Sequence, residues 1–178
     1  MRLFGLFLSM ALALSLTAMG QAKPQTEGEN SLPKGGMQIN AGFGLSGNGI
    51  PVYGGMDFGV HQDMTAGFEV GYRSFSDNYW RYNSFSITGT FNYHFNRLIG
   101  LPSNFDVYAG ANIGYVNWNH HWEGPAGTDE WHKSHSSGIG LGLQIGGRYF
   151  FNQNWGVNVE LNGGNQLSSG RVGVTYRL

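Results

Sequence analysis

The chain has 178 residues, a formal net charge of −1, 12% charged residues, 15% aromatic residues, 30 glycines and no cysteine. This length suits one domain, the near-neutral charge gives no reason to expect nucleic-acid binding, and the absence of cysteine excludes disulfides and thiolate chemistry. Charged residues make up about a quarter of an ordinary soluble domain, so their scarcity here indicates that much of the surface does not face water.

The N-terminus has the pattern of a secretory signal peptide, in which a cation at Arg2 precedes an apolar run and small residues follow near Gly20. The run is about 18 residues long, at the lower limit for a transmembrane helix, and the small residues after it favour cleavage. We therefore predict a signal peptide over residues 1–20, with cleavage as late as residue 22. Residues 21–36 contain two prolines and no periodicity, and they are predicted to form a polar linker.

From residue 37 onward, apolar residues alternate with others at a period of two, which indicates β-strands. The alternation predicts eight strands, at residues 37–45, 52–60, 64–72, 85–95, 107–115, 137–151, 155–161 and 169–178. Long loops are predicted at one end, at residues 76–83, 119–135 and 164–169, and short turns at the other, at residues 61–63 and 152–154. An even strand number and this asymmetry of loop length fit a transmembrane β-barrel.

The charged residues indicate which face of the strands lies inside. Those within the predicted strands or directly beside their ends all alternate with the apolar residues, and none is lysine: Asp57, Glu69, Arg73, His94, Asp106, Arg148, Glu160, Arg171 and Arg177. A soluble barrel of lipocalin type would turn this face to water, where lysine is usual. A lipid-facing apolar band around a polar interior explains the composition better, and in lipid such a sheet must close because unpaired edges are not tolerated there.

Three segments resemble the family of small eight-stranded outer-membrane β-barrels, of the opacity-like type: "FDVYAGANIGYV" (105–116), "GLGLQIGGRYFFNQNWGVNVEL" (140–161) and "RVGVTYRL" (171–178). The resemblance implies an eight-stranded antiparallel up-and-down barrel in the outer membrane. It also implies a C-terminal signal that the barrel-insertion machinery reads, carried by Val172, Val174, Tyr176 and Leu178. Members of the family often end in phenylalanine, and this chain departs from that pattern at Leu178.

An eight-stranded barrel is narrow enough for side chains to fill its lumen. Many inward positions are glycine, which leaves space for long side chains to cross, and buried charges are costly unless paired. We therefore predict an ionic and hydrogen-bonded network among six residues: Asp57, Glu69, Arg73, Arg148, Glu160 and Arg171. The network either closes the lumen or gates a narrow pore.

The predicted loop at residues 119–135 carries several histidines and acidic residues, which are metal-ligand types. A metal site at His120, His121, His132 and His135 is therefore an alternative, although the spacing of a structural zinc site is absent and no cofactor is expected. His135, Ser136 and Ser137 raise the alternative of a lipid-modifying enzyme, which would require a nucleophile and a base to converge.

The sequence therefore predicts a monomeric outer-membrane barrel over residues 37–178, with a structural or surface-interaction role and no catalysis. Outer-membrane lipid, the insertion machinery and an unidentified surface partner, bound through loops 76–83 and 119–135, are the expected partners, and nucleic acid is not. A narrow channel with an ionic plug, a lipid-modifying enzyme and a soluble lipocalin-like binding barrel are the alternatives.

Overall fold

The computed structural model describes residues 32–45, 49–77, 79–125 and 136–178. Eight antiparallel strands form a closed barrel in which each strand pairs with its neighbours along the chain and the last pairs with the first. The elements are β1 (Met37–Leu45), β2 (Val52–His61), β3 (Met64–Asp77), β4 (Trp80–His94), α1 (Asn96–Ile99), β5 (Phe105–Trp122), β6 (Gly138–Phe150), β7 (Trp155–Gly164) and β8 (Ser169–Arg177). The prediction of an eight-stranded up-and-down barrel is confirmed, and the predicted signal peptide lies outside the described residues.

The alternation of the sequence places apolar side chains on the outside of the barrel and polar side chains in the lumen. Leu143 on β6 is 71% exposed, whereas Gln38 and Asp106 are fully buried. A soluble barrel would bury the apolar face, so the alternative of a lipocalin-like barrel is wrong. Within the described residues, no helix is long and apolar enough to span a membrane.

The first strand begins and the last strand ends at the same end of the barrel, the one with the short turns. The register pairs Ile39 of β1 with Tyr176 of β8, and the backbone N–H of Leu178 donates to Met37 O at 2.9 Å. Outer-membrane barrels have short periplasmic turns and longer extracellular loops. This end therefore faces the periplasm.

The end of the predicted linker packs at the same periplasmic end. Leu32 is 1% exposed, Gly35 N–H donates to Gly59 O at 2.8 Å, and Gly59 N–H donates to Gly36 O at 3.0 Å. A Cβ on Gly59 would collide with the carbonyl group of Pro33. Residues 32–36 are thus joined to the barrel, and glycine is needed at position 59 for this close approach.

At the outer end, strand replaces much of two predicted loops. The predicted loop at residues 76–83 is a tight hairpin in which Asp77 pairs with Trp80, and residues 119–122 of the predicted loop 119–135 belong to β5. Since β6 starts beside Val116, residues 117–122 project beyond it by about 20 Å, at roughly 3.4 Å per residue. We call this projection, residues 74–77, 79–84 and 118–122, the outer ribbon.

The apolar face of the strands reverses in the outer ribbon. Tyr72 and Phe85 are register partners and the last outward aromatic pair, and the next outward pair is Ser74 with Asn83. Beyond that point the aromatic residues face inward: Tyr82 is 5% exposed, and its ring centroid lies 5.0 Å from that of Phe75. The outward face meets lipid below this level and water above it, so the reversal marks the outer boundary of the bilayer.

Candidate functional site: the polar lumen

The periplasmic half of the lumen is filled by an ion cluster around Arg148, which we call the inner cluster. The guanidinium donates to Asp57 Oδ2 at 2.8 Å and to Asp106 Oδ2 at 2.9 Å. It also lies 4.2 Å from the centroid of the Tyr108 ring, and Asp57 accepts a further hydrogen bond from Gln38 Nε2 at 2.9 Å. One buried cation is therefore held between two buried carboxylates that have further polar contacts.

The inner cluster continues through His94 to a buried hydroxyl group. His94 Nδ1 lies 2.6 Å from Asp106 Oδ1, and His94 Nε2 lies 3.0 Å from Thr65 Oγ1. Carboxylate, imidazole and hydroxyl follow the order of a hydrolase triad, but all three residues are at most 1% exposed. A substrate therefore has no access to this hydroxyl group. Alternation placed His94 inward, whereas its partners depend on the register between strands.

A second ion cluster, the middle cluster, lies around Arg171. Its guanidinium contacts the carboxylates of Glu69 and Glu160 and lies 4.7 Å from the centroid of the Tyr53 ring. Glu160 also accepts hydrogen bonds from Tyr108 Oη at 2.8 Å and from Asn162 Nδ2 at 2.7 Å. The carboxylates of this cluster come from β3 and β7, so the side chain of Arg171 connects strands that are not neighbours in the sheet.

Uncharged side chains connect the two clusters. Tyr53 Oη donates to Asn158 at 2.8 Å, and Asn158 Nδ2 donates to Thr175 Oγ1 at 2.9 Å. Thr175 Oγ1 donates to Asn40 Oδ1 at 2.8 Å, and Asn40 Nδ2 donates to Asp57 at 2.9 Å. The clusters and this chain of hydrogen bonds form one continuous network across the lumen.

The structure does not place Arg73 in that network. Among the described residues it has no ion pair, and its guanidinium lies 5.9 Å from the centroid of the Trp118 ring. The physical reason is height, because Arg73 is four residues farther out along β3 than Glu69, about 14 Å at the strand rise. That Arg73 joins the lumen network stays a prediction.

Two cavities lie on either side of the middle cluster, and both are lined by Tyr53, Glu69 and Arg171. The outer cavity, of about 60 Å³, is bounded above by Arg73 and Trp118. The inner cavity, of about 30 Å³, reaches the inner cluster at Arg148. The middle cluster therefore separates an outer compartment, which we call the vestibule, from an inner one.

The structure gives no support to the histidine metal site. His120 and His121 are exposed neighbours at the end of β5, where consecutive side chains point to opposite faces of the sheet. His120 lies against Trp80, with ring centroids 5.7 Å apart, while His132 and His135 fall outside the described residues. In the part of the chain that is described, no three metal-ligating side chains lie close enough to hold an ion.

Three residues of the predicted insertion signal, Val172, Val174 and Tyr176, have their side chains on the outside of β8. Val174 is widely exposed, and the Tyr176 ring lies 4.7 Å from that of Trp155 at the periplasmic end. Val172 pairs with Phe43 of β1, and Leu178 follows the last residue of the strand.

Comparisons with known proteins agree with this architecture. The family described as "Outer membrane protein beta-barrel domain" matches residues 9–176. No curated protein matches the chain. The family match spans most of the chain.

Several solved outer-membrane proteins share the fold. Neisserial surface protein A is 16% identical, with a TM-score of 0.55 over 80% of this chain and 95% of that one. OprG from Pseudomonas aeruginosa is 11% identical, with a TM-score of 0.53 over 84% and 99%. Ail from Yersinia pestis, in a phospholipid nanodisc, is 11% identical, with a TM-score of 0.52 over 82% and 100%. The chain therefore belongs to the outer membrane protein beta-barrel domain family and is a β-barrel of the outer membrane.

Proposed function

We propose that the protein is a closed, non-conducting barrel that supports the envelope and presents the outer ribbon at the cell surface. The observation that carries the proposal is the pair of lumen arginines, Arg148 and Arg171, each held between two carboxylates. These side chains cross the lumen at two heights, so a solute would have to displace both clusters.

The energy of these contacts favours a plug over a gate. Removing one partner from a buried ion pair costs about 3–5 kcal/mol. An open state would have to separate Arg171 from Glu160 and Arg148 from Asp57, and each separation disrupts a buried ion pair.

Planar-bilayer recording of the purified full chain tests this proposal. We expect no discrete conductance steps from wild-type protein that migrates as a folded barrel in an unboiled gel. Steps in the wild type that change in Glu160→Gln would contradict the plug and support the narrow channel. A Leu98→Ala variant is a matched control, because Leu98 lies in α1, outside the lumen, and is 72% exposed.

Aromatic residues at the tip of the outer ribbon support a surface-interaction role. Tyr79 is 66% exposed at the hairpin turn, and its ring centroid lies 5.9 Å from that of Trp122. Trp122 in turn lies 5.2 Å from Trp80. Tyrosine and tryptophan are the residues that dominate binding energy at protein interfaces, and here they lie on a strand framework beyond the bilayer.

We infer that the protein has no catalytic activity. The buried His94 lacks access to substrate, and the hydroxyl group of Ser137 is engaged by the backbone of Trp118, whose N–H donates to it at 2.8 Å. Ser137 therefore terminates the pairing between strands. Lipid A from cells that express the protein should have an unchanged mass spectrum. Gain or loss of an acyl chain in these cells, but not in cells that express His135→Ala, would contradict this inference.

We also propose that the chain is monomeric and that its last strand carries the insertion signal. Tyr176→Ser combined with Leu178→Ser should reduce the amount of folded barrel in outer membranes, because both side chains lie on the outer, apolar face. Leu178→Phe should assemble at least as well as wild type. Equal assembly of the double variant and wild type would contradict the signal.

A further inference from the structure

We propose that residues 32–36 form a lid over the periplasmic mouth of the lumen, and that the side chain of Leu32 fills this mouth. The lid belongs to the segment before β1, so it closes the barrel separately from the two ion clusters. Its effect is to keep periplasmic water and solutes away from the inner cluster.

A β-turn directs the lid back toward the barrel. Gly36 N–H donates to Pro33 O at 2.8 Å, which closes the turn, and its third residue, Gly35, has a φ of 82°. A type II turn requires a positive φ at this position, where glycine is favoured. The chain therefore reverses direction just before β1, and Leu32 lies back toward the barrel.

The surroundings of Gly59 place the lid over the lumen. Asp57 points into the lumen, and Gly59 is two residues farther along β2, so a side chain at position 59 would point inward as well. A Cβ there would collide with Pro33 O and would lie 3.3 Å from Leu32 O. The backbone of the lid thus occupies lumen space that a side chain at position 59 would fill.

The lid lies next to the part of the inner cluster that is nearest the periplasm. Gly59 is the register partner of Thr65, and Thr65 Oγ1 lies 3.0 Å from His94 Nε2. Thr65 is the second residue of β3 and His94 the last residue of β4, so both lie at the mouth of the barrel. An open mouth would expose them to water, yet both are at most 1% exposed.

Leu32 provides an apolar side chain where the strands provide none. At the mouth, β6 and β8 contribute Phe150 and Arg177, whose guanidinium lies 3.4 Å from the centroid of the ring. The inward residues at the same ends of β2 and β3 are the small Gly59 and Thr65. Most large apolar side chains of this barrel face outward, whereas Leu32 is the least exposed apolar side chain among the described residues. Its burial is explained if it fills the gap beside these two small residues.

The reactivity of a thiol at the mouth tests the lid, since the chain has no cysteine of its own. Thr65→Cys places a thiol beneath the lid, and the folded full chain in detergent micelles is treated with a charged, water-soluble methanethiosulfonate. A covered thiol reacts only after local opening. Leu32→Ala, which removes the filling side chain, should therefore raise the labelling rate about tenfold or more. Gly59→Ala should do the same, because its Cβ displaces the lid at Pro33 O.

The chain offers matched controls for both changes. Lys34→Ala alters an exposed side chain of the same turn, and Gly54→Ala adds a Cβ on the same strand that meets only Asn40 O, at 3.9 Å. Neither should change the labelling of Thr65→Cys. A thiol at Ser86→Cys, which lines the vestibule, should react at one rate with and without the lid changes. Mobility in unboiled gels verifies that each variant is a folded barrel.

Three results would each overturn the proposal: rapid labelling of Thr65→Cys with the lid intact, no increase in either Leu32→Ala or Gly59→Ala, or an equal increase in Gly54→Ala. Bilayer recording separates this proposal from the ionic plug. Conductance steps together with slow labelling of Thr65→Cys would contradict the plug and support the lid. Silent bilayers together with rapid labelling would contradict the lid alone.

Discussion

Replacement of Arg148 by methionine removes the cation of the inner cluster while retaining most of the side-chain volume. Asp57 and Asp106 then lose the guanidinium that both contact, and both are at most 5% exposed. Loss of one partner from a buried ion pair costs about 3–5 kcal/mol. Since Arg148 contacts two carboxylates, we expect the upper part of that range, or a decrease of on the order of a thousandfold in the folding equilibrium.

The assay is equilibrium unfolding in urea from lipid vesicles, followed by the mobility difference between boiled and unboiled samples. The triple variant Arg148→Met, Asp57→Asn, Asp106→Asn should regain most of the loss, because no uncompensated charge remains. A loss below about 1 kcal/mol in Arg148→Met would refute the reasoning. Failure of the triple variant to recover would show that volume and hydrogen bonds, and not charge, explain the effect.

Three other changes test the packing of the lumen and the lipid face. Gly146→Ala should destabilise the barrel by about 1–3 kcal/mol, because a Cβ there collides with the ring of Tyr108, whereas Gly147→Ala meets only Asp106 O at 3.6 Å and should change stability by less than about 0.5 kcal/mol in the same urea assay. Tyr108→Phe removes one hydrogen bond to Glu160 and should cost about 1.5–3 kcal/mol, with no loss expected if the carboxylate is satisfied by Arg171 alone. Leu143→Arg places a charge against lipid and should cost about 2–4 kcal/mol in vesicles, and an equal cost for Leu98→Arg at the periplasmic turn would contradict the assignment of the lipid face.

The strands within the bilayer could be predicted from the sequence because their outward side chains meet lipid along the whole length and are apolar. β1 was predicted with its observed bounds, Met37–Leu45, since every outward position there is apolar. The outward side chains meet water, and not lipid, where β3 and β4 leave the membrane. Outward positions such as Ser76 and Asn83 are polar there, and inward positions such as Tyr82 are aromatic. The apolar alternation that predicts a strand is therefore interrupted at this point. The predicted loop at residues 76–83 resulted from that reversal.

Which charged residues lie in the lumen could be predicted from the sequence, whereas their ion-pair partners could be predicted only in part. Alternation gives the face of a side chain, but which partner it meets across the barrel depends on the stagger between strands. Arg148 and Asp57 are 91 positions apart in sequence, and nothing local indicates that they meet. Arg73 is four residues beyond Glu69 along β3, about 14 Å at the strand rise, and its inward direction alone does not indicate a partner.

Depth measurement by fluorescence tests most directly whether the apolar face lies in lipid and ends at the outer boundary inferred from Tyr72 and Phe85. The chain has no cysteine, so a fluorophore can be attached at Leu143→Cys, Phe85→Cys or Asn83→Cys before folding into vesicles. We expect lipids with a quencher on the acyl chain to quench the label at 143 most strongly, the label at 85 less, and the label at 83 least, with iodide quenching in the reverse order. Equal quenching by iodide at 143 and 83 would place the apolar face away from lipid and contradict the account.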